Sequence, residues 1–202
     1  MFSDITRDDV FMLETPRLWL RWPRATDAPS LVKHAGDEAV ARMTARIPHP
    51  YPPEEADRFI FRSREANATG AGLVLAVTLK GRPAEAVGIV SAEWSPDGEV
   101  ILGYWLGTAF QGRGLATEAV DALLRAVFTV SAAGAVIAAV QTRNAESRRV
   151  LEKLGFRADP KGRASFPACA GEPFESFRLE RRDWTLADVR LDRATRDPVA
   201  RG

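Results

Sequence analysis

Six consecutive residues, Gln111, Gly112, Arg113, Gly114, Leu115 and Ala116, carry the clearest chemical signal in this 202-residue chain. An apolar, strand-like run over 99–106 feeds them, and an amphipathic helical pattern follows at once. Glycine permits tight turns and lets a ligand approach the main chain closely. A helix start adds unpaired N–H groups and the positive end of the helix dipole. Together these features suit the gripping of phosphate. A dinucleotide fingerprint fails, because Thr117 stands where its third glycine belongs and the run follows antiparallel strands rather than opening a βαβ unit. The Walker A pattern fails too, since no Gly-Lys-Ser/Thr follows.

The elements that must position this loop are legible from periodicity and punctuation. Leu18, Leu20 and Trp22 alternate with polar or amphipathic neighbours as in a half-buried strand. A helix follows through about Ala35, and the proline-rich stretch 46–53 interrupts regular structure before a helix running to about Asn67. Strands are expected over 73–80, 86–94 and 100–106, joined by short turns at Gly81-Arg82-Pro83 and Ser95-Pro96-Asp97-Gly98, as in an antiparallel meander. Leu115, Ala116, Ala119, Val120, Leu123, Leu124 and Val127 share one helical face. A buried strand is expected over 135–141, and then a helix capped by Asn144 and closed by Gly155. Two last strands lie near 156–158 and 174–181. The order β-α-α-β-β-β-α-β-α-β-β describes a single α/β domain over 1–184. Its central sheet is mixed, mostly antiparallel and flanked by helices, with a polar tail over 185–202.

Composition narrows the function classes. The formal net charge is +1, which gives no global field favouring nucleic acid or an anionic membrane. Cys169 is the single cysteine and His34 and His49 are the only histidines, so neither an internal disulfide nor a zinc cluster is expected. Cys169 has no basic neighbour to activate it as a nucleophile. The polar N-terminus and the lack of a long apolar run point to a cytoplasmic protein without a membrane partner. His34 reads as a helix-surface residue, and Trp19, Trp22, Trp94 and Trp184 read as packing residues. A monomer and a homodimer are both compatible with the chain.

The segment Gln111-Gly-Arg-Gly114-Leu-Ala116 resembles the Q/R-x-x-G-x-G/A motif of the GNAT superfamily of acetyl-CoA-dependent N-acetyltransferases. Leu13-Glu-Thr-Pro-Arg-Leu18, Gly103-Tyr-Trp-Leu106, Gly114-Leu-Ala-Thr-Glu-Ala119 and the run from Asn144 through Ser147 to Phe156 are similar, in order, to the RimJ/RimL branch. That branch includes ribosomal-protein N-terminal acetyltransferases. The resemblance implies acetyl-CoA as co-substrate, no metal, and direct transfer to an amine-bearing acceptor in a ternary complex. It places pyrophosphate on residues 111–116, and pantetheine along Tyr104, Trp105 and Leu106 and near Asn144. It also places Ser147 beside the sulfur, where its hydroxyl assists the leaving thiolate. Read without the resemblance, Asn144 is an N-cap and Ser147 a first-turn helix residue.

One position departs from the branch. Many relatives carry a glutamate two residues before the Gly-Tyr of the central strand, and this chain has Ile101 there. Glu93 and Glu99 are the displaced candidates for a base; Glu172 and Glu175 lie farther along the chain. At pH 7 roughly one lysine amine in several thousand is neutral, against roughly a tenth of α-amines. A weakened base therefore favours a peptide N-terminus or another low-pKa amine. Other readings are an acetyltransferase of an aminoglycoside, polyamine or metabolite, and a CoA-binding regulatory module without turnover. His49 and Tyr51 lie in the loop where the resembling fold builds its acceptor pocket.

Overall fold

The structure, a computed structural model, describes residues 1–44, 46–160 and 173–184. Eight strands form one sheet in the order β1-β2-β3-β4-β5-β6-β8-β7. They are β1 (Met12–Glu14), β2 (Leu18–Arg21), β3 (Gly72–Leu79), β4 (Arg82–Trp94), β5 (Val100–Leu106), β6 (Ala135–Gln141), β7 (Arg157–Ala158) and β8 (Phe174–Glu180). The helices are α1 (Ala28–Ala35), α2 (Glu38–Ala41), α3 (Pro53–Thr69), α4 (Leu115–Val130) and α5 (Ala145–Lys153). Every pairing is antiparallel except β5 with β6, so the sheet is mixed as expected.

β4 starts at Arg82 rather than near 86, so the expected Gly81-Arg82-Pro83 turn is only residues 80–81; Arg82 pairs with Leu79 across it and the register shifts at Thr78 absorb the difference. Two short elements extend the predicted order. Residues 12–14 pair with β2 around a turn at Thr15 to Arg17, too short a stretch for alternation to reveal. The four residues of α2 form because the Asp37 side chain accepts from the Ala39 N–H at 3.0 Å and caps the turn. His34, expected on a helix surface, is buried instead.

The helices cover both faces. On one, α4 buries Leu115, Ala119, Val120, Leu123, Leu124 and Val127 against Leu73, Leu75, Ala92, Val100 and Leu102. On the other, α1 and α3 bring Leu31, Ala56 and Ile60 onto Val74, Ala76 and Ile89. This double cover explains why β3 is an almost continuous apolar run. Beyond Ala76, where β2 ends, Val74 would lose its outer backbone partner. The buried Asn67 of α3 supplies one, donating to the Val74 carbonyl at 2.9 Å and accepting its N–H at 2.7 Å.

Candidate active site

The glycine loop sits where β5 hands over to α4. Gly112 and Gly114 have φ of 70° and 74°, left-handed values that a side chain would strain. The Gln111 N–H is taken by the Thr108 carbonyl at 3.2 Å, and the Gln111 amide donates to the Leu106 carbonyl at 2.8 Å. Gln111 therefore pins the loop to the end of its strand. The helical ladder starts with the Glu118 N–H, bonded to the Gly114 carbonyl at 3.1 Å. Between these two points, the N–H groups of residues 112–117 find no acceptor among the described residues. A nest of free donors at a helix N-terminus fits an anion such as a phosphate group.

A brace from the far end of the chain holds this loop. Arg17 donates to the Arg113 carbonyl at 2.9 Å and pairs with Glu118 at 2.6 Å. Thr15 donates to the same carboxylate at 2.6 Å, and the Arg17 N–H does so at 2.9 Å. Burial pushes the Glu118 carboxyl up, but the bonds from Thr15 and Arg17 outweigh it and hold the group below the usual range. From beneath, His34 packs edge-on against Phe110, with ring centres 5.4 Å apart, and its Nε2 lies 3.2 Å from Glu85. A Cβ on Gly107 would come within 2.7 Å of His34 Nδ1, so glycine is what lets the loop rest on the imidazole. Asp37 accepts from the Thr108 hydroxyl and ties α2 to the same segment. Sequence reasoning assigned no role to Arg17, Thr15, Glu118, His34 or Asp37. The available signal for the first three was that the Leu13–Leu18 and Gly114–Ala119 blocks both resemble the same family branch.

Beside the loop the sheet opens. β5 and β6 are in register only at Val100–Val136 and Ile101–Ile137. Beyond that, β5 continues paired with β4 as far as Leu106, and β6 continues paired with β8 as far as Gln141. The result is a cleft whose one wall is the β5 edge at residues 102–106. Tyr104 and Trp105 face opposite ways: Tyr104 packs with the α4 side of the core, Trp105 with the α1–α3 side. The Tyr104 hydroxyl crosses to α5, 2.7 Å from Ser147 Oγ and 3.1 Å from the Ser147 carbonyl. Burial pushes this phenol up to about 12, although the bond to Ser147 pulls the other way. Asn144 accepts from the Ser147 N–H at 3.0 Å, which is the N-cap expected from the residues alone.

The acids separate cleanly. Glu93 on β4 stands directly opposite Ile101, so the two side chains share a sheet face. Its side chain is 36 % exposed, and its carboxylate lies 3.4 Å from Arg46. Glu99 is bound by Arg178, which also pairs with Glu180 at 2.6 Å. The hydrogen bonds from Arg178 to Glu180 and Glu99 raise its pKa above the ordinary guanidinium value. Glu175 pairs with Arg148 at 2.6 Å. Cys169, Glu172 and the tail over 185–202 lie outside the described residues. Tyr51 packs against the α1–α3 core, and burial pushes its phenol up to about 12. A separate concavity of about 880 Å³ lies at the far sheet edge, lined by Met12, Trp22, Arg24, Phe61 and Arg64 among others; it shares no residue with the loop or the cleft.

Residues 17–157, well over half of the chain, match the family model described as an acetyltransferase (GNAT) domain. The chain belongs to the GNAT acetyltransferase family. It is an acetyl-CoA-dependent N-acetyltransferase, and acetyl-CoA is its co-substrate. Among similar solved structures, Mycobacterium smegmatis RimJ in complex with CoA-disulfide is 23% identical with a TM-score of 0.73, over 92% of this chain and 94% of that one. The ribosomal-protein-S5-alanine acetyltransferase from Vibrio fischeri is 21% identical with a TM-score of 0.70, over 86% of this chain and 98% of that one. The microcin C7 self-immunity acetyltransferase MccE, in complex with acetyl-CoA and AMP, is 19% identical with a TM-score of 0.69, over 82% and 93%. These likenesses establish the shared fold. No curated protein matches the chain. No helix among the described residues is long and apolar enough to cross a membrane.

Proposed function

We propose that this acetyltransferase acts on a low-pKa primary amine, a protein or peptide N-terminus before all others, by direct transfer in a ternary complex. The observation that carries this reading is the pairing of Glu93 with Ile101. The central strand lacks its own acid, and the acid that shares the face stands one strand away. It is partly exposed and beside a cation. Such a group accepts a proton from an amine that is already neutral in useful amounts. It is poorly matched to lysine, whose neutral fraction at pH 7 is roughly a thousandth or less. Glu99 and Glu175 are less suited, since each is held in a close pair by an arginine, at 2.6 Å for Glu175, whereas Glu93 stands off from Arg46 at 3.4 Å. A solved structure of the same fold is a ribosomal L7/L12 alpha-N-protein acetyltransferase, which supports an N-terminal acceptor.

In this reading the free N–H groups of residues 112–117 and the α4 dipole hold the pyrophosphate. The β5 edge at Tyr104, Trp105 and Leu106, with Asn144 across the cleft, aligns the pantetheine arm. Bound acetyl-CoA supplies the activated acetyl group. Glu93 takes the amine proton, directly or through water, and the Ser147 hydroxyl hydrogen-bonds the departing thiolate. MccE, a microcin C7 self-immunity acetyltransferase of the same fold solved with acetyl-CoA and AMP, motivates a second reading with a small amine as acceptor.

A two-part experiment tests the proposal. Acetyl-CoA binding is measured by calorimetry on the wild type and on Gly114→Trp, which fills the loop and abolishes binding. Thiol release is then followed on peptides with free or blocked N-termini, on lysine peptides, and on aminoglycosides and polyamines. Turnover of free N-termini, lost when they are blocked, is the expected result. Turnover of aminoglycosides or polyamines alone overturns the acceptor assignment.

A further inference from the structure

The Tyr104 phenol has one proton and two acceptors within reach, the Ser147 carbonyl at 3.1 Å and Ser147 Oγ at 2.7 Å. The choice decides what Ser147 can do. With the phenol proton on the carbonyl, the serine hydroxyl donates back to the phenol oxygen and its own proton is occupied. With the phenol proton on Oγ, the serine proton turns outward and is free for another acceptor. Asn144 holds the Ser147 N–H, so the first turn of α5 is pinned and the two hydroxyl rotors remain as the local freedom. Burial pushes the phenol up to about 12, so at neutral pH it is a neutral donor.

We propose that Tyr104 is a positioning residue for thiolate departure: its hydroxyl donates to Ser147 Oγ and thereby aims the Ser147 proton at the sulfur. This rests on the reading of Ser147 given above. The C–S bond breaks with its electron pair staying on sulfur, and Ser147 hydrogen-bonds the resulting thiolate. Neither hydroxyl gives up its proton. The proton shed by the amine passes to Glu93 and then to solvent, from which the released thiolate is protonated. Tyr104 also contributes the backbone of the cleft wall, but its hydroxyl has a separate duty that the main chain cannot perform.

The test needs no acceptor amine. CoA labelled with carbon-13 beside the sulfur is bound to the full-length protein, and the carbon shift is followed as the thiol titrates. Wild type is expected to hold the thiol below free CoA by about one pKa unit, the size of one good charge-assisted hydrogen bond. Ser147→Ala returns it to the free value, and Tyr104→Phe returns at least about half of the difference. In the double variant Tyr104→Phe adds nothing further, because a residue that acts through Ser147 is silent without it. Phenylalanine keeps the ring, and unchanged CoA affinity separates positioning from a general loss of packing. A wild-type titration for Tyr104→Phe, or an equal shift from it in the Ser147→Ala background, overturns this inference alone. A wild-type titration for Ser147→Ala overturns the reading of Ser147 and this inference with it.

Discussion

Glu93 shows how much a single register relation matters. Along the chain it is eight residues from Ile101, across a turn, and nothing local separates it from Glu99 as a candidate base. In the sheet it stands opposite Ile101, whereas Glu99 is spent on Arg178. Glu93→Gln is therefore expected to lower kcat/KM at least about tenfold at pH 7, within the usual range for losing a general base. The defect shrinks as pH rises through the amine pKa, because solvent then delivers the neutral nucleophile. Glu99→Gln leaves the pH–rate profile unchanged. Steady-state profiles of the two variants decide between these carboxylates, and a pH-independent Glu93→Gln defect sinks the assignment of Glu93 as base.

At the level of elements, the junction of β5 and α4 depends on residues a hundred positions away. Arg17 and Thr15 meet at Glu118, and Arg17 also reaches the Arg113 carbonyl. The carboxyl's folded pKa is lowered from its ordinary value of 4.5, so its stabilising effect is complete above that value and is lost as pH falls through the lower folded one. Melting temperatures for wild type and Glu118→Gln should thus differ above pH 4.5 and converge in more acidic buffer. The variant also weakens acetyl-CoA binding, since the loop loses its brace; the fall should be about three- to tenfold, comparable to one or two hydrogen bonds. Unchanged CoA affinity would show that the loop is rigid without Arg17. The loop itself was readable from its glycines and the helix that follows, because turn and cap preferences are local. Its brace was not, since no spacing rule links residues 15 and 118.

For the whole molecule, the sheet is clamped between two apolar layers, and the cleft exists because one parallel pairing stops early. α4 supplies the larger layer, and Leu123, fully buried, lies among its core residues. Leu123→Ala should destabilise the fold by about 2–5 kcal/mol, as for other buried leucines. Denaturant unfolding measures this, and CoA affinity below the transition should stay within about twofold if the core and the site are energetically separate. His34 sits where core and site meet, with Glu85 on one side and Phe110 on the other. Its position in helix α1 gave no hint of this, because the element that buries it arrives seventy residues later.

What the sequence determined by itself were features set by near neighbours: the meander turns, the glycine loop, the apolar face of α4 and the Asn144 cap. Their causes, backbone dihedral limits and hydrogen bonds within a few residues, act wherever the segment finds itself. Tertiary structure alone decided which strands lie side by side, and hence that β5 and β6 part after Ile101. It also decided that Glu93 faces Ile101, that Tyr104 reaches Ser147, and that Arg17 and Glu118 lock the loop. Each of these joins residues far apart in the chain. Such contacts depend on how the layers pack together, and no local pattern encodes that.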